Sequence, residues 1–600
     1  MHAPLRWALR LGPFLVALLL GALSAAGASP ASAPRQPFLV DLHLHGSLSE
    51  GSATMAHHSA EAERLGYDGL WWSDHMSRQM AGTYLNAVGF EDSLQQQNGN
   101  WFLSEFQLEE DLPSSCHLEF QHDDPPQGGA YLRASHAVPS GAGWSESRLV
   151  FQNTQRFHHR SLISRPVVKL RLRLDSLGGN SVFLVRVRLS SRADGLSPEG
   201  VVNTLEYHPG SMHPPAPAPN VQQIPLQGFD PDLWNEVVLP VGQDAVGRFW
   251  EGEDQALTGV ELVLLAKRGK QISMDIDDFR IELAGPVDLP VFQAQEQILA
   301  SRHSTSLFHH VGMEVDGPVQ QPVLAISTRD HLIALYPAGI PALIDYRDPG
   351  SLPELYPASG VDAVHAAGGV AILAHIFGAL TDSGVKPDAQ ARQLALRVLQ
   401  NQAWGADAIE VGYPFRQRPL ADFLFVWDQL SARGIYLTGI GSSDDHDVLP
   451  WDLRQNRWAS LVRSTGSTAS ELLTAIRGGQ VVFGDPTAFA PDGDLLFEQL
   501  GGAYSMGDVV PTAGGQQQLH VVVTGAQAGD ELVLLRNAAE VQRLPFTGAT
   551  LDAVLSQEVA AGDWLRLEIR DAADAAFLLS NPIYYIDPQG TPPPDRAPGP

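Results

Sequence analysis

The stretch FLVDLHLHGSLSEG, residues 38–51, decides how the rest of the chain is read. An apolar run ends in two histidines two positions apart, with an acid five positions further on. Successive side chains of a β-strand alternate faces, so His43 and His45 share one face, and Leu42 and Leu44 take the other, towards a core. Two imidazoles side by side at a strand end can grip one metal ion. His-x-His also occurs by chance, so the meaning of this pair depends on what other strands deliver beside it.

Composition narrows the classes. Six hundred residues exceed what one core can organise, which suggests about three or four domains. The chain carries 39 Lys plus Arg against 68 Asp plus Glu, a formal net charge of −29. With no general basic field to displace counterions, a long nucleic acid is excluded as partner. A small anionic substrate held at a local metal site is not. At the amino terminus Arg6 and Arg10 precede the apolar run Leu11 to Leu23, followed by small residues with an Ala26-Gly27-Ala28 cleavage site. That pattern predicts a signal peptide over residues 1–28 and a secreted or periplasmic protein. A membrane anchor is the alternative, but thirteen apolar residues fall short of the roughly 20 that span a bilayer. A mature chain without a transmembrane span follows. Cys116 is the single cysteine, so no internal disulfide forms and stability must come from packing.

Along the chain the hydrophobic period changes three times. Residues 36–90 read as strand, helix, strand, with MAHHSAEAERLG as the helix and GLWWSDH as a buried strand. Residues 91–285 alternate apolar and polar in short runs such as VVKLRLRLDSL, SVFLVRVRLSS and ISMDIDDFRIEL, the pattern of a β-sandwich. Residues 290–490 return to α/β, with AILAH, DAIEVGYP and GIYLTGIGSSDDH as strands and DFLFVWDQLSARG as a helix. TASELLTAIRGGQ adds another helix, opened by a Thr468–Glu471 capping box and stopped by Gly478 and Gly479. Residues 491–587 form a second, small β unit, and 588–600 a proline-rich tail expected to be disordered.

Metal-type residues gather at the strand ends of the α/β portions: His43, His45 and Glu50; Asp74 and His75; Glu314 in GMEV; His331 in RDHLIAL; His375 in AILAH; Asp444 and His446 in GSSDDH. In a parallel barrel the carboxyl ends of the strands share one mouth, where catalytic groups collect. DLHLHGSLSEG, GLWWSDH, GMEV with DHLIAL, AILAH and GSSDDH, in this order, resemble the motifs of the PHP (polymerase and histidinol phosphatase) metal-dependent hydrolases. The branch containing the carbaryl hydrolases is the nearest likeness. The resemblance covers residues 38–90 and 290–490, about two fifths of the chain.

The resemblance implies a distorted seven-stranded β/α barrel, interrupted by the sandwich and followed by a small carboxyl-terminal β-sandwich. It implies two or three divalent ions (Zn, Mn or Fe). His43, His45, Glu314 and Asp444 would hold the first, and Glu314 would bridge to a second held by His331 and His375. Glu50, His75 and His446 would hold a third. Glu50 departs from the aspartate of many relatives, which makes that third site the weakest expectation. A carboxylate that bridges can hold two cations about 3.5–4 Å apart.

Glu314, His331 and Asp444 are thus the candidate catalytic residues, with Arg347 and Arg416, and Arg78 beside them, as cations for a substrate anion. Each arginine has a surface ion pair as its plain alternative. Asp74 is expected to orient a ligand rather than bind metal. His57, His58, His158 and His159 are expected to be surface or core histidines, and His309 and His310 flank the Glu314 strand. The expected reaction is hydrolysis of a small ester by metal-activated water, a phosphoester first and a carboxylester or carbamate second. The inserted sandwich resembles carbohydrate-binding jelly rolls, so glycan contact is a further expectation. A binding protein on a degenerate barrel is the alternative from outside the enzymes.

Overall fold

The computed structural model describes residues 35–46, 53, 55–74, 84–88, 98–99, 101–108, 115–126, 129–140, 143–153, 166–175, 180–190, 203–245, 256–267, 269–283, 306–316, 331–339, 357–377, 388–414, 418–446, 449–489 and 493–593. Among these, no helix is long and apolar enough to cross a membrane. The segment read as a signal peptide lies outside them, as do Glu50, His75, Arg78, His158, His159, Arg347 and Arg416.

The α/β part supplies strands β1 (Gln36–Leu44), β2 (Gly69–Trp72), β3 (Phe308–Asp316), β4 (His331–Leu335), β5 (Val370–Leu373), β6 (Ala408–Gly412), β7 (Thr438–Gly441), β8 (Ala459–Ser464) and β9 (Val481–Gly484). They lie side by side in the order β7-β6-β5-β4-β3-β2-β1-β8-β9 within one large mixed sheet. β1 with β2, β2 with β3, β5 with β6 and β6 with β7 are parallel, whereas β4 runs against both neighbours. The segment after β7 also returns to the end of β1: Asp444 N donates to His43 O at 2.9 Å and His45 N to Asp445 O at 3.1 Å. The end of β7 and the end of β1, distant in strand order, are thereby brought together.

Helices α1 (Met55–Arg64), α2 (Pro357–Ala366), α3 (Asp388–Gln400), α4 (Leu420–Ser431) and α5 (Ala469–Arg477) connect these strands. α5 opens with the expected capping box: Thr468 Oγ1 accepts from Glu471 N, and the Glu471 carboxylate accepts from Thr468 N at 3.2 Å. The strands are buried on both faces, as β5, β6 and β7 show by burying every residue, because helices or other strands cover each side. Gly412 and Gly441 let β6 and β7 approach. A Cβ on Gly412 would stand 2.9 Å from Gly441 Cα and 2.5 Å from the Trp458 ring.

Chain leaves the large sheet after Asp74 and re-enters at Phe308, yet β2 and β3 pair directly, Leu70 opposite His309. Between them, strands from Tyr84 to Leu283 build a six-stranded and a seven-stranded sheet, almost wholly antiparallel, around one apolar core. Val168, Leu170, Leu172 and Leu174 point into that core while Arg171 and Arg173 face away, the period-2 alternation of a sandwich strand.

The carboxyl-terminal strands are continuous with the large sheet. Ala576–Ser580 pairs antiparallel with β9, and Trp564–Arg570 and Glu531–Arg536 follow. Asn581, fully buried, acts as a strand partner for β7: its amide donates to Gly439 O at 2.9 Å and its carbonyl accepts from Gly439 N at 2.8 Å. Arg566, 1% exposed, reaches Asp428 of α4 at 2.5 Å and Glu568 at 2.9 Å. Burial raises the Asp428 pKa above the usual carboxylate value, with Arg566 pulling against it.

Candidate metal centre

β1 delivers His43 and the residue just past it, His45, into the interior, both fully buried. β3 delivers Glu314, also fully buried, and Asp444 follows the end of β7. His43 Nε2 lies 3.0 Å from His45 Nε2, 3.3 Å from Glu314 Oε2 and 3.3 Å from Asp444 Oδ1. His45 Nε2 lies 3.2 Å from each of the same two carboxylate oxygens. Four ligand atoms around one ion at about 2.0–2.1 Å define a tetrahedron with edges of about 3.3–3.4 Å. The observed separations are close to that, and these four residues could hold a metal ion.

The other Glu314 oxygen serves a second group. Oε1 meets His331 Nδ1 and stands 3.0 Å from His375 Nε2, so Glu314, His331 and His375 form a second buried set that could hold an ion. One carboxylate is shared between the two sets, Oε2 in the first and Oε1 in the second.

Electrostatics favour bound cations. Glu314, Asp444 and Glu410 are 0%, 4% and 0% exposed, and burying carboxylates together is costly unless positive charge accompanies them. The His43 imidazole responds to the same field. Burial pushes it towards neutrality, but Glu410, Asp444 and Glu314 outweigh that and hold its pKa well above the usual histidine value. Burial dominates at His375, whose pKa is lowered. Asp41, a buried residue of β1 itself, is pushed up to about 6 by desolvation.

Two of the candidate ligand residues adopt left-handed backbone, His375 with φ 25° and Asp444 with φ 50°. Such conformations in non-glycine residues cost energy that the surroundings must offset, and they cluster at functional sites. Here each turns the chain out of its strand, β5 or β7, at the ligand itself.

Partners that the sequence reading did not single out hold the ligands in place. Glu410, at the middle of β6, accepts from His43 Nδ1–H at 2.6 Å and from Ser442 Oγ–H at 2.6 Å with Oε1, and from His375 N–H at 2.5 Å with Oε2. Tyr413 donates its hydroxyl to Asp444 Oδ2. An acid inside the apolar run DAIEVGY was the available signal for Glu410. Tyr413, the residue directly after the glycine that ends β6, offered none. Beneath the site Arg454 pairs with Asp445 at 2.6 Å and stacks 3.8 Å above Trp451.

The remaining candidates fall into place individually. Asp74 accepts from Gly46 N at 2.9 Å and so braces the backbone just after His45. His446 stacks on His45, ring centres 4.0 Å apart, with Nδ1 2.9 Å from the Asp444 carbonyl. It belongs to neither metal set, and its expected partners Glu50 and His75 lie outside the described residues. His58 is a core residue: Nε2–H donates to His45 O at 3.0 Å, and Nδ1 takes the Trp451 indole N–H at 3.3 Å. His309 accepts from Trp72, and His310 donates to Ser467 O, so neither enters the centre.

No protein-family model matches this sequence, and no curated protein matches it. Solved structures resemble about a third of it. One is a carbohydrate-binding module of the β-sandwich superfamily, at 11% identity and a TM-score of 0.21, covering 34% of this chain and 64% of that one. Another is the family 11 carbohydrate-binding module of a Clostridium thermocellum cellulosomal cellulase, at 9% identity and 0.20, covering 34% and 97%. A third is the C-terminal family 22 module of Clostridium thermocellum Xyn10B, at 14% and 0.20, covering 35% and 99%. The chain spans about two thirds or more of each, and at these scores the likeness carries no inference about what it binds.

Proposed function

We propose that this chain is an exported, PHP-like metal-dependent hydrolase that acts on a small, anionic ester, a phosphoester before a carboxylester or carbamate. The observation that carries the reading is the divided Glu314 carboxylate, one oxygen in each of two buried ligand sets. The distorted-barrel reading draws support from the parallel pairing of β1, β2 and β3 and from the backbone bonds joining the segment after β7 to β1.

Bound divalent ions would supply hydroxide near neutral pH by lowering the pKa of a coordinated water, and would take up charge developing on substrate oxygens. The chain's own residues supply the frame. His43 and His45 present Nε2 lone pairs from one strand, and Glu410 fixes the His43 tautomer by accepting from its Nδ1–H. Asp444 offers Oδ1 to the first set while Tyr413 holds Oδ2, so the carboxylate cannot swing away. His331 and His375 close on Glu314 Oε1 and leave Oε2 to the other set. Arg347 and Arg416 stay proposed as contacts for the substrate anion, and glycan contact stays a proposal for the inserted sandwich, both resting on the sequence reading.

The test is a panel of aryl phosphomonoesters, phosphodiesters, arylesters and aryl carbamates, assayed with chelator-treated protein before and after adding Mn or Zn. Metal-dependent turnover of a phosphoester supports the first choice, and turnover of arylesters or carbamates alone supports the second. Metal uptake with no hydrolysis of any class would refute the hydrolase reading.

A further inference from the structure

Glu410 is buried, charged in character and in contact with both ligand sets, yet it belongs to neither. Its two oxygens divide as those of Glu314 do, one step further out. Oε1 takes the Nδ1–H of His43, a ligand of the first set, and Oε2 takes the backbone N–H of His375, a ligand of the second. Ser442, two residues before Asp444, adds a third donor at Oε1. We infer that Glu410 is a positioning residue that ties the two metal sets into one unit, so that neither is formed correctly without it. This inference rests on the metal reading above and adds the coupling of its two halves.

The chemistry requires a carboxylate. His43 can coordinate through Nε2 only when its proton sits on Nδ1, and an acceptor at 2.6 Å from Nδ1 selects that tautomer. His375 holds a left-handed backbone conformation, and its N–H needs an acceptor in that buried place. Glu410 meets both needs because both of its oxygens accept. Glutamine, of the same shape, meets one. With its carbonyl towards His43, its NH2 opposes the His375 N–H. With the carbonyl towards His375, its NH2 faces His43 Nδ1 and selects the tautomer that cannot ligate through Nε2. In either orientation the disturbed set shares Glu314 with the other, so the loss passes to both.

The experiment is titration of chelator-treated protein with Zn and, separately, Co, followed by calorimetry and by the visible absorption of bound Co. Wild type, Glu410→Gln, Glu410→Asp and Ser442→Ala are compared, with far-UV circular dichroism as the folding control. The expected result is that Glu410→Gln weakens both ions by about 10–100-fold and alters the Co spectrum, while its fold is kept. Ser442→Ala, which leaves both ligand contacts intact, should bind both ions within about threefold of wild type. Glu410→Asp keeps the charge but is one methylene too short to reach both partners, and it decides the matter if Glu410→Gln does not fold. It too should weaken both ions. If either variant binds one ion as tightly as wild type does, the coupling is wrong even though the metal reading stands. If wild type takes up no ion, the metal reading itself falls, and this inference with it.

Discussion

Replacing Arg566 with methionine tests how the carboxyl-terminal strands are locked to the metal-bearing sheet. Methionine keeps the apolar stem over Trp427 and Trp564, whose ring centres lie 5.2 and 5.3 Å from the guanidinium carbon. It removes the cation that faces Asp428 and one of the two that face Glu568, which keeps Arg570 at 2.7 Å; the two carboxylate side chains are 15% and 2% exposed. Removing one member of a buried ion pair costs about 3–5 kcal/mol, because the partner is left charged without compensation. Partial exposure of Asp428 places the expected loss near the lower end, about 3 kcal/mol at pH 7. The pH dependence has a definite sign. Burial already raises the folded-state pKa of Asp428, so the folded form binds a proton more readily than the unfolded one, and acidification from neutral pH stabilises through that window. Without Arg566 the window widens, and the deficit should shrink by about 1.4 kcal/mol for each pH unit over which one carboxyl is protonated only in the fold. Urea unfolding followed by tryptophan fluorescence, at pH 7 and pH 5, measures both quantities. A loss below about 1 kcal/mol at pH 7, or an equal loss at both pH values, would refute the reasoning.

Tyr413→Phe removes the hydroxyl that holds Asp444 Oδ2, so the first ion should bind about tenfold more weakly and the second, reached only through the shared Glu314, should weaken by less; metal titration reads this, and a second ion weakened more than the first would contradict it. Neutral imidazoles are needed for ligation, and the carboxylates around His43 hold its pKa well above the usual histidine value, so metal should leave as pH falls through about 6.5 while circular dichroism still reports a folded chain. Metal retained in full at pH 5 would count against His43 and His45 as ligands.

Much of this architecture is local enough to read from sequence. The alternation in DLHLH put both imidazoles on one face of β1, and Thr468 with Glu471 marked the start of α5. Other features depend on packing that no short window records. β4 runs against its neighbours, although HLIAL carries no sign of direction. WLRLEIRD alternates so that Arg566 and Glu568 should face water, yet α4 covers that face and brings Asp428 to them. The same holds at the centre. The candidate ligands were legible because histidines and acids at strand ends stand out, while Glu410 reads as one acid in a buried strand and Tyr413 as an ordinary aromatic. Their roles come from partners more than thirty residues away in sequence.

The most direct test of the central claim is the number of metal ions per chain, measured by mass spectrometry on protein reconstituted with Zn or Mn. The two ligand sets predict at least two ions in wild type. Glu314→Ala removes the carboxylate common to both sets, so both of those ions should be lost from a protein that remains folded by circular dichroism. A wild-type chain that holds no ion, or a Glu314→Ala chain that keeps both, would contradict the shared-carboxylate centre.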